Sequence, residues 1–175
     1  MLHAEKKMKT VIFYISKHGT TEKVARRIAD KLNLGKTELV NLKNENLQID
    51  IETFDRIIIG GSIHMASVHK KIKKFCELNN NIFLKKTLGL FLCCMETGKK
   101  SIEQFENAFS ENLRKHATSS AILGYEYNLS KMNFFEKILV KKISGSKESI
   151  SEIDYKGIEN FVMELDNKIK KRDFL

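Results

Sequence analysis

The sequence has little cysteine, no proline and no long apolar run. Its three cysteines, Cys76, Cys93 and Cys94, are too few and too irregularly spaced for a disulfide framework, and no C-x-x-C pair supplies the usual zinc-ligand spacing. The absence of proline excludes no class of protein. No apolar run approaches the roughly 20 residues of a membrane span, and the polar residues 1–7 lack the apolar core of a secretory signal. We therefore expect a reduced, cytoplasmic protein without a metal site.

Acidic residues are outnumbered by basic ones. The chain has 31 Lys and Arg against 22 Asp and Glu, which gives a net charge of +9. This excess predicts an anionic partner, and nucleic acid, a lipid surface or an acidic ligand would each satisfy it. The length of 175 residues and the apolar fraction of 42% fit one globular domain with a sizeable core.

Short apolar runs alternate with helical patterns along the chain. The run 11–15 (VIFYI) is rich in β-branched and aromatic residues, as is typical of a strand buried on both faces. The predicted strands are 11–15, 37–42, 54–59, 87–94 and 120–123. Helical spacing is seen in 20–34 and in three stripes: Val68, Ile72, Phe75 and Cys76; Ile102, Phe105, Phe109 and Leu113; and Ile158, Phe161, Val162, Leu165 and Ile169. The alternation predicts an α/β fold whose parallel sheet has helices on both faces.

One segment is too long for a simple connection. Residues 124–153 separate the last predicted strand from the closing helix. We interpret this segment as an insertion that interrupts or follows the last strand and contains its own amphipathic helix. That helix would have Met132, Phe135, Ile138, Leu139 and Ile143 on one face, with Lys131, Lys137, Lys141 and Lys142 over much of the remainder.

A polar loop joins the first strand to the first helix. A loop at this place offers free backbone N–H groups and the positive end of a helix dipole to an anion. It contains three hydroxyl donors, one glycine that lets the backbone approach a phosphate, and no carboxylate. Its residues are Ser16, Lys17, His18, Gly19, Thr20 and Thr21. The alternative is that these residues only form a turn and a helix cap.

Two other phosphate motifs are excluded. A Walker A loop needs G-x-x-x-x-G-K-[ST], and the segment 98–101 (GKKS) lacks both the first glycine and the hydroxyl position. No G-x-G-x-x-G pattern follows a predicted strand, which disfavours a dinucleotide site.

The loop S-K-H-G-T-T after VIFYI resembles the flavodoxin phosphate loop [ST]-x-[ST]-G-x-T, with His18 where Ser or Thr is usual. The resemblance implies bound FMN. It also implies a flavodoxin-like three-layer sandwich with a five-stranded parallel sheet in the order 2-1-3-4-5. We expect a single domain over residues 8–172, with the insertion at about 125–153.

The resemblance implies two further loops around the flavin. The first follows the third strand and includes Gly60, Gly61, Ser62, Ile63 and His64. A mobile glycine peptide there would turn its carbonyl toward flavin N5, and Ile63, His64 or Met65 would cover a ring face. His64 has the alternative role of a hydrogen-bonding loop residue, and no catalytic residue is assigned.

The second loop, which follows the fourth strand, contains Cys94, Met95, Glu96 and Thr97. Family members often place an aromatic residue in this loop, but this chain has none between Phe91 and Phe105. The alternative for Cys93 is that it packs in the sheet as a small apolar residue.

The insertion resembles that of the menaquinone-dependent protoporphyrinogen IX dehydrogenases. The resemblance rests on 124–128 (GYEYN), 134–145 (FFEKILVKKISG) and 153–155 (IDY). It implies an FMN enzyme, peripheral at the cytoplasmic membrane, that oxidises a tetrapyrrole and passes electrons to a quinone. Five lysines and one glutamate between 131 and 147 give a local charge of +4, which suits an anionic membrane surface or porphyrin propionates.

Three alternatives stay open at this point. The apolar face of the insertion helix would equally well pack on the sheet. A flavodoxin electron carrier serving a redox partner protein would explain the loops without a substrate. A nucleic-acid-binding protein would explain the charge but not two ligand loops at strand ends, so we expect no nucleic acid partner. The oligomeric state is left open.

Overall fold

A computed structural model of the chain describes residues 8–32, 35–44, 48–127, 138 and 150–172. Within these ranges the strands are β1 (Lys9–Tyr14), β2 (Lys36–Asn41), β3 (Arg56–His64), β4 (Ser67–Val68), β5 (Thr87–Cys93), β6 (Ser119–Ile122), β7 (Gly124–Tyr127) and β8 (Ile150–Ile153). The helices are α1 (Thr20–Lys31), α2 (Lys70–Leu78), α3 (Asn80–Phe83), α4 (Gly98–Ala108), α5 (Glu111–His116) and α6 (Tyr155–Arg172), with a 3₁₀ turn at Ile51–Thr53.

Five parallel strands form the main sheet in the order β2-β1-β3-β5-β6. The short strand β4 pairs antiparallel with β3 and is the only addition to this sheet among the described strands. Numbering the parallel strands alone gives the order 2-1-3-4-5. The predicted flavodoxin-like architecture is therefore confirmed.

The sheet has helices on both faces because successive side chains of its strands point to opposite sides. Val11 and Ile57 point to the core that includes residues of α2, α3 and α5. Ile12 and Ile58 point to the second core, which α1 and α6 complete. All four side chains are fully buried, which explains why these strands are continuous apolar runs.

Two predicted helical stripes differ from the structure. Val68 lies in β4, where it pairs with Ile63, and α2 begins only at Lys70. The stripe from Ile102 to Leu113 is divided between α4 and α5, because Phe109 has an extended backbone and ends α4. Its side chain is nonetheless buried, and it shares one core with Phe105 and Leu113, whereas Ile102 is exposed.

The prediction that residues 60–64 form a loop after the third strand is wrong. Strand β3 continues to His64, and Gly60 and Gly61 pair with Phe91 and Leu92 of β5. A β-carbon at Gly60 would lie 1.9 Å from Cζ of Phe91. One at Gly61 would lie 2.6 Å from Cγ2 of Val68. The two glycines thus make room for neighbouring side chains within the sheet.

The insertion begins and ends in a two-stranded ribbon. Strand β7 follows β6 after the single residue Leu123, and β8 pairs with β7 antiparallel. The insertion therefore follows the last strand of the main sheet and does not interrupt it. Of the predicted amphipathic helix, residues 132–143, only the exposed Ile138 is described, and the helix itself lies outside the described residues. In the described part of the chain, no helix is long and apolar enough to cross a membrane.

Candidate functional site

Three connections meet at the carboxyl edge of the sheet. They follow β1, β3 and β5, which are adjacent and parallel, so their ends lie side by side. Lys17 Nζ, in the connection after β1, lies 2.8 Å from Nε2 of His64 at the end of β3. The ring centroids of His18 and His64 are 6.2 Å apart. The structure therefore brings the predicted phosphate loop and the predicted flavin-edge segment together.

The loop after β1 has the geometry of an anion site. Gly19 precedes α1 with φ at 102°, which glycine adopts without strain, and its N–H donates to Oγ of Ser16 at 3.0 Å. Helix α1 has 12 residues, and no side chain caps its start. The N–H groups of its first turn have no partner within the helix and carry the positive end of its dipole. They are the donors that an oxyanion would accept here.

The three hydroxyl groups of the predicted phosphate loop have different roles, and two of them belong to Thr20 and Thr21, which begin α1. Ser16 lies in the loop and accepts from Gly19, which leaves its own proton able to donate. The Thr20 hydroxyl donates to the carbonyl of Glu126 in β7 at 3.0 Å. Thr21 is 1% exposed and packs against the Cys93 thiol. The Ser16 hydroxyl therefore keeps a proton to donate, whereas the Thr20 proton is used in the contact with β7 and Thr21 is buried.

Lys43, which follows β2, is a cation beside this loop that the sequence pattern did not indicate. Its Nζ donates to the Ser16 carbonyl at 2.6 Å. It reaches this position because β2 lies next to β1, and the Leu42 N–H donates to the Tyr14 carbonyl at 2.9 Å. Paired residues of the two strands are 27 positions apart in sequence, as in Tyr14 and Asn41, so only their parallel register brings Lys43 to the loop. With Lys17, it makes the loop favourable for an anion.

The turn after β3 lies at Met65 and Ala66. Both residues have left-handed backbones, with φ at 49° and 63°. They connect β3 to β4 as a two-residue hairpin, a place where glycine or asparagine is usual. Met65 is 85% exposed at the tip, His64 is exposed, and Ile63 packs against the core. Met65 and Ala66 carry no turn signal in the sequence, whereas Gly60 and Gly61 do, so the loop was expected to begin at the glycines.

The connection after β5 forms the other side of the site. Cys94 is buried and its thiol contacts the Glu96 carbonyl, with 3.6 Å between Sγ and O. Met95 and Glu96 are half-buried, and Thr97 is exposed directly before α4. The aromatic side chain that family members often place here is absent from this connection.

The cysteines near the site are buried thiols. Burial raises the pKa of Cys93 to about 12, although its contact with Thr21 opposes this shift, and burial also raises the pKa of Cys94. All three cysteines are free and buried. The packing interpretation of Cys93 agrees with this burial. Within the described ranges no group of His, Cys, Asp and Glu residues is arranged to hold a metal ion.

The donors at this edge fit the phosphate of FMN. The loop combines a left-handed glycine, the start of a long helix, the Ser16 hydroxyl and the cations of Lys17 and Lys43. No carboxylate belongs to residues 16–21.

Comparison with known proteins decides the family. A model described as the flavodoxin domain matches residues 11–154. The chain belongs to the flavodoxin family. This membership supports an FMN-type redox protein, in agreement with the donors of the loop.

Among curated relatives of this flavodoxin, an uncharacterized protein of Methanocaldococcus jannaschii is 37% identical over 87 residues, which are 47% of this chain and 55% of that protein. The match thus spans about half the length of that relative. Oxidised Flavodoxin 2 from Bacillus cereus is 19% identical, with 91% of this chain and 99% of that chain covered, at a TM-score of 0.57. Rubredoxin oxygen:oxidoreductase from Desulfovibrio gigas is 17% identical, with 96% of this chain and 38% of that chain covered, at a TM-score of 0.59. Both structures share the flavodoxin-like fold of this chain.

Proposed function

We propose that this flavodoxin is an FMN-dependent oxidoreductase that takes electrons from a tetrapyrrole and passes them to a quinone. The sequence of the insertion, which resembles the menaquinone-dependent protoporphyrinogen IX dehydrogenases, supports this proposal. The observation that carries it furthest is the contact between Thr20 of α1 and Glu126 of β7. Lys23 also forms an ion pair with Glu126. The base of the insertion therefore lies against the phosphate loop. An insertion that binds the substrate of a flavin enzyme is expected at this place, next to the cofactor.

The chain's own residues would bind and orient the cofactor. The start of α1, Ser16, Lys17 and Lys43 would hold the phosphate, and Ile63 to Met65 would lie along the ring. FMN, when bound, supplies the acceptor for hydride from the substrate, and the protein supplies position and electrostatics. In this proposal the chain works in the cytoplasm, where the insertion meets the membrane that contains the quinone.

The test is anaerobic turnover of the FMN-loaded protein with protoporphyrinogen and a menaquinone analogue. We expect porphyrin to form only when both are present. A Thr20→Val variant removes the hydroxyl bond to Glu126 and should lower this turnover more than it lowers FMN retention. Absence of porphyrin formation by a fully loaded protein would contradict the proposal.

A second candidate function is an electron carrier that serves a redox partner protein. The exposed Met65 favours this function, because only β4 and its flanking residues separate it from the lysine-rich start of α2. A carrier would exchange single electrons with a protein and show no turnover of the tetrapyrrole. Rapid mixing of the reduced protein with acceptor proteins distinguishes the two functions.

A further inference from the structure

Helix α2 begins with four lysines, and its one acidic residue, Glu77, lies near the other end of the helix. Lys70, Lys71, Lys73 and Lys74 occupy its first turns, and no acidic residue lies in the first turn. Three of them are exposed and Lys73 is half-buried. Among the described residues, none of the four ammonium groups forms an ion pair with a carboxylate. We call these four residues the lysine collar.

The lysine collar is unfavourable for the isolated chain. The start of a helix carries the positive end of its dipole, which disfavours cations. Lys70 and Lys74 are four positions apart, and Lys71 and Lys74 are three apart, so like charges face each other on one side of the helix. Carboxylates from a partner would relieve both effects.

The lysine collar lies beside the carboxyl edge of the sheet. Strand β4 leads into α2 through His69 alone, so the collar flanks the hairpin with Met65 at its tip. The hairpin is joined to the phosphate loop through Lys17 and His64. An exposed apolar residue with charged residues around it resembles the core and rim of a protein interface.

The apolar side of α2 is used within the fold. Ile72 and Cys76 are buried in the core, and Phe75 packs against it. Of the apolar residues of α2, only Leu78 at its last position is largely exposed. The helix therefore has no continuous apolar face to insert into a lipid surface, as a membrane-binding amphipathic helix would. This arrangement favours a protein partner over a membrane.

We propose that the lysine collar and Met65 form a docking surface for a protein with a carboxylate-rich face around its redox centre. This inference rests on the second candidate function and names the chemistry of its partner. The surface brings such a partner to the edge where the flavin is expected. Complementary charge would steer the encounter, and Met65 would form the apolar centre of the contact.

Direct binding to two oxidised haem proteins tests this proposal without any electron transfer. Acidic cytochrome b5 and basic cytochrome c are titrated into the FMN-loaded protein in a calorimeter. We expect cytochrome b5 alone to bind at low salt, and this binding to be lost at about 1 M salt, where the Debye length is about 3 Å. The triple variant Lys70→Glu, Lys71→Glu, Lys74→Glu should lose at least about tenfold in affinity. Glutamates suit the start of α2, so this variant should fold.

A matched control reverses the same number of charges at the opposite edge of the sheet. Lys36 begins β2, Lys85 precedes β5, and Lys115 lies near the end of α5. The variant Lys36→Glu, Lys85→Glu, Lys115→Glu should keep the parent affinity if position matters and not net charge. Met65→Asn, which tolerates the left-handed turn, should also weaken binding.

Four outcomes would overturn the docking surface. They are equal loss in both triple variants, unchanged affinity in the collar variant, equal binding of cytochrome c, and binding of phosphatidylserine vesicles without binding of cytochrome b5. FMN content, porphyrinogen turnover and electron exchange with acceptor proteins in rapid mixing are measured on the same samples. Failure of the second candidate function, on which this inference rests, is thereby distinguished from failure of the docking surface.

Discussion

The ring of Phe91 lies against the backbone of Gly60. The two residues are register partners on β3 and β5, and a β-carbon on Gly60 would lie 1.9 Å from Cζ of Phe91. Phe91 in turn packs edge-on against Phe161 of α6, with 6.4 Å between ring centroids. Because Gly60 has no side chain, Phe91 has the space to pack against α6.

We expect Gly60→Ala to destabilise the fold. The added methyl group overpacks the core against Phe91, which costs about 1–3 kcal/mol of unfolding free energy in urea titrations. The double variant Gly60→Ala, Phe91→Leu should recover part of this loss, because leucine vacates the ring position. A shift of the flavin potentials without any loss of stability would show instead that the Gly60 peptide acts in redox control.

The hairpin turn provides a second prediction. Met65 and Ala66 hold left-handed backbones that cost non-glycine residues about 1–2 kcal/mol each. Replacing them with Met65→Asn and Ala66→Gly should raise the melting temperature, because this pair favours such hairpins. Since this turn borders the proposed flavin site, potentiometry should also detect a shift of the flavin reduction potentials. A lower melting temperature would contradict the observed turn geometry.

Gly19 tests the phosphate loop. Its φ of 102° is strained for any side chain, so Gly19→Ala should distort the loop and lower FMN affinity about tenfold or more in fluorescence titrations. Gly35→Ala is the matched control, since Gly35 has φ at 95° and its β-carbon would meet the Met8 carbonyl far from the loop. The control should lower stability and leave FMN affinity intact. Equal FMN affinities of Gly19→Ala and the parent would show that this loop does not bind the cofactor.

The buried thiols predict a dependence of stability on alkaline pH. Burial raises the pKa of both Cys76 and Cys93 from 9.0 to about 12. The folded state keeps these protons while the unfolded chain releases them. The stability the thiols contribute is therefore complete below pH 9 and is lost as the pH rises toward 12.

Urea unfolding between pH 8 and the alkaline limit of reversibility checks this dependence. Each thiol should contribute a fall of up to about 1.4 kcal/mol per pH unit above its unfolded pKa. Cys93→Ala should have lower stability throughout but a shallower decline with pH. Parallel declines in the variant and the parent would mean that Cys93 ionises freely in the folded state.

The sequence predicted the sheet because both of its faces are buried. Val11 and Ile12 point to different cores, yet both are fully buried, so the strand is a continuous apolar run that no amphipathic helix imitates. Alternation with helices then implied a parallel sheet, and the resemblance of S-K-H-G-T-T to the flavodoxin phosphate loop implied the order of its strands. The loop from Ser16 to Thr21 was predictable because a strand, a polar loop with glycine and a helix follow one another directly in the sequence.

Contacts between distant residues were decided only by the tertiary structure. Strand β4 has two residues and no periodicity, and it exists because Val68 meets Ile63 across the hairpin. Lys43 reaches Ser16 because β2 pairs with β1. Local pattern determined the five parallel strands and the first and last helices, because the apolar or polar character of each residue follows its burial. It did not show β4, and it placed a loop where β3 continues to His64. Packing decided what Gly60, Thr20 and Thr21 do, because their partners Phe91, Glu126 and Cys93 are brought to them only by the folded sheet.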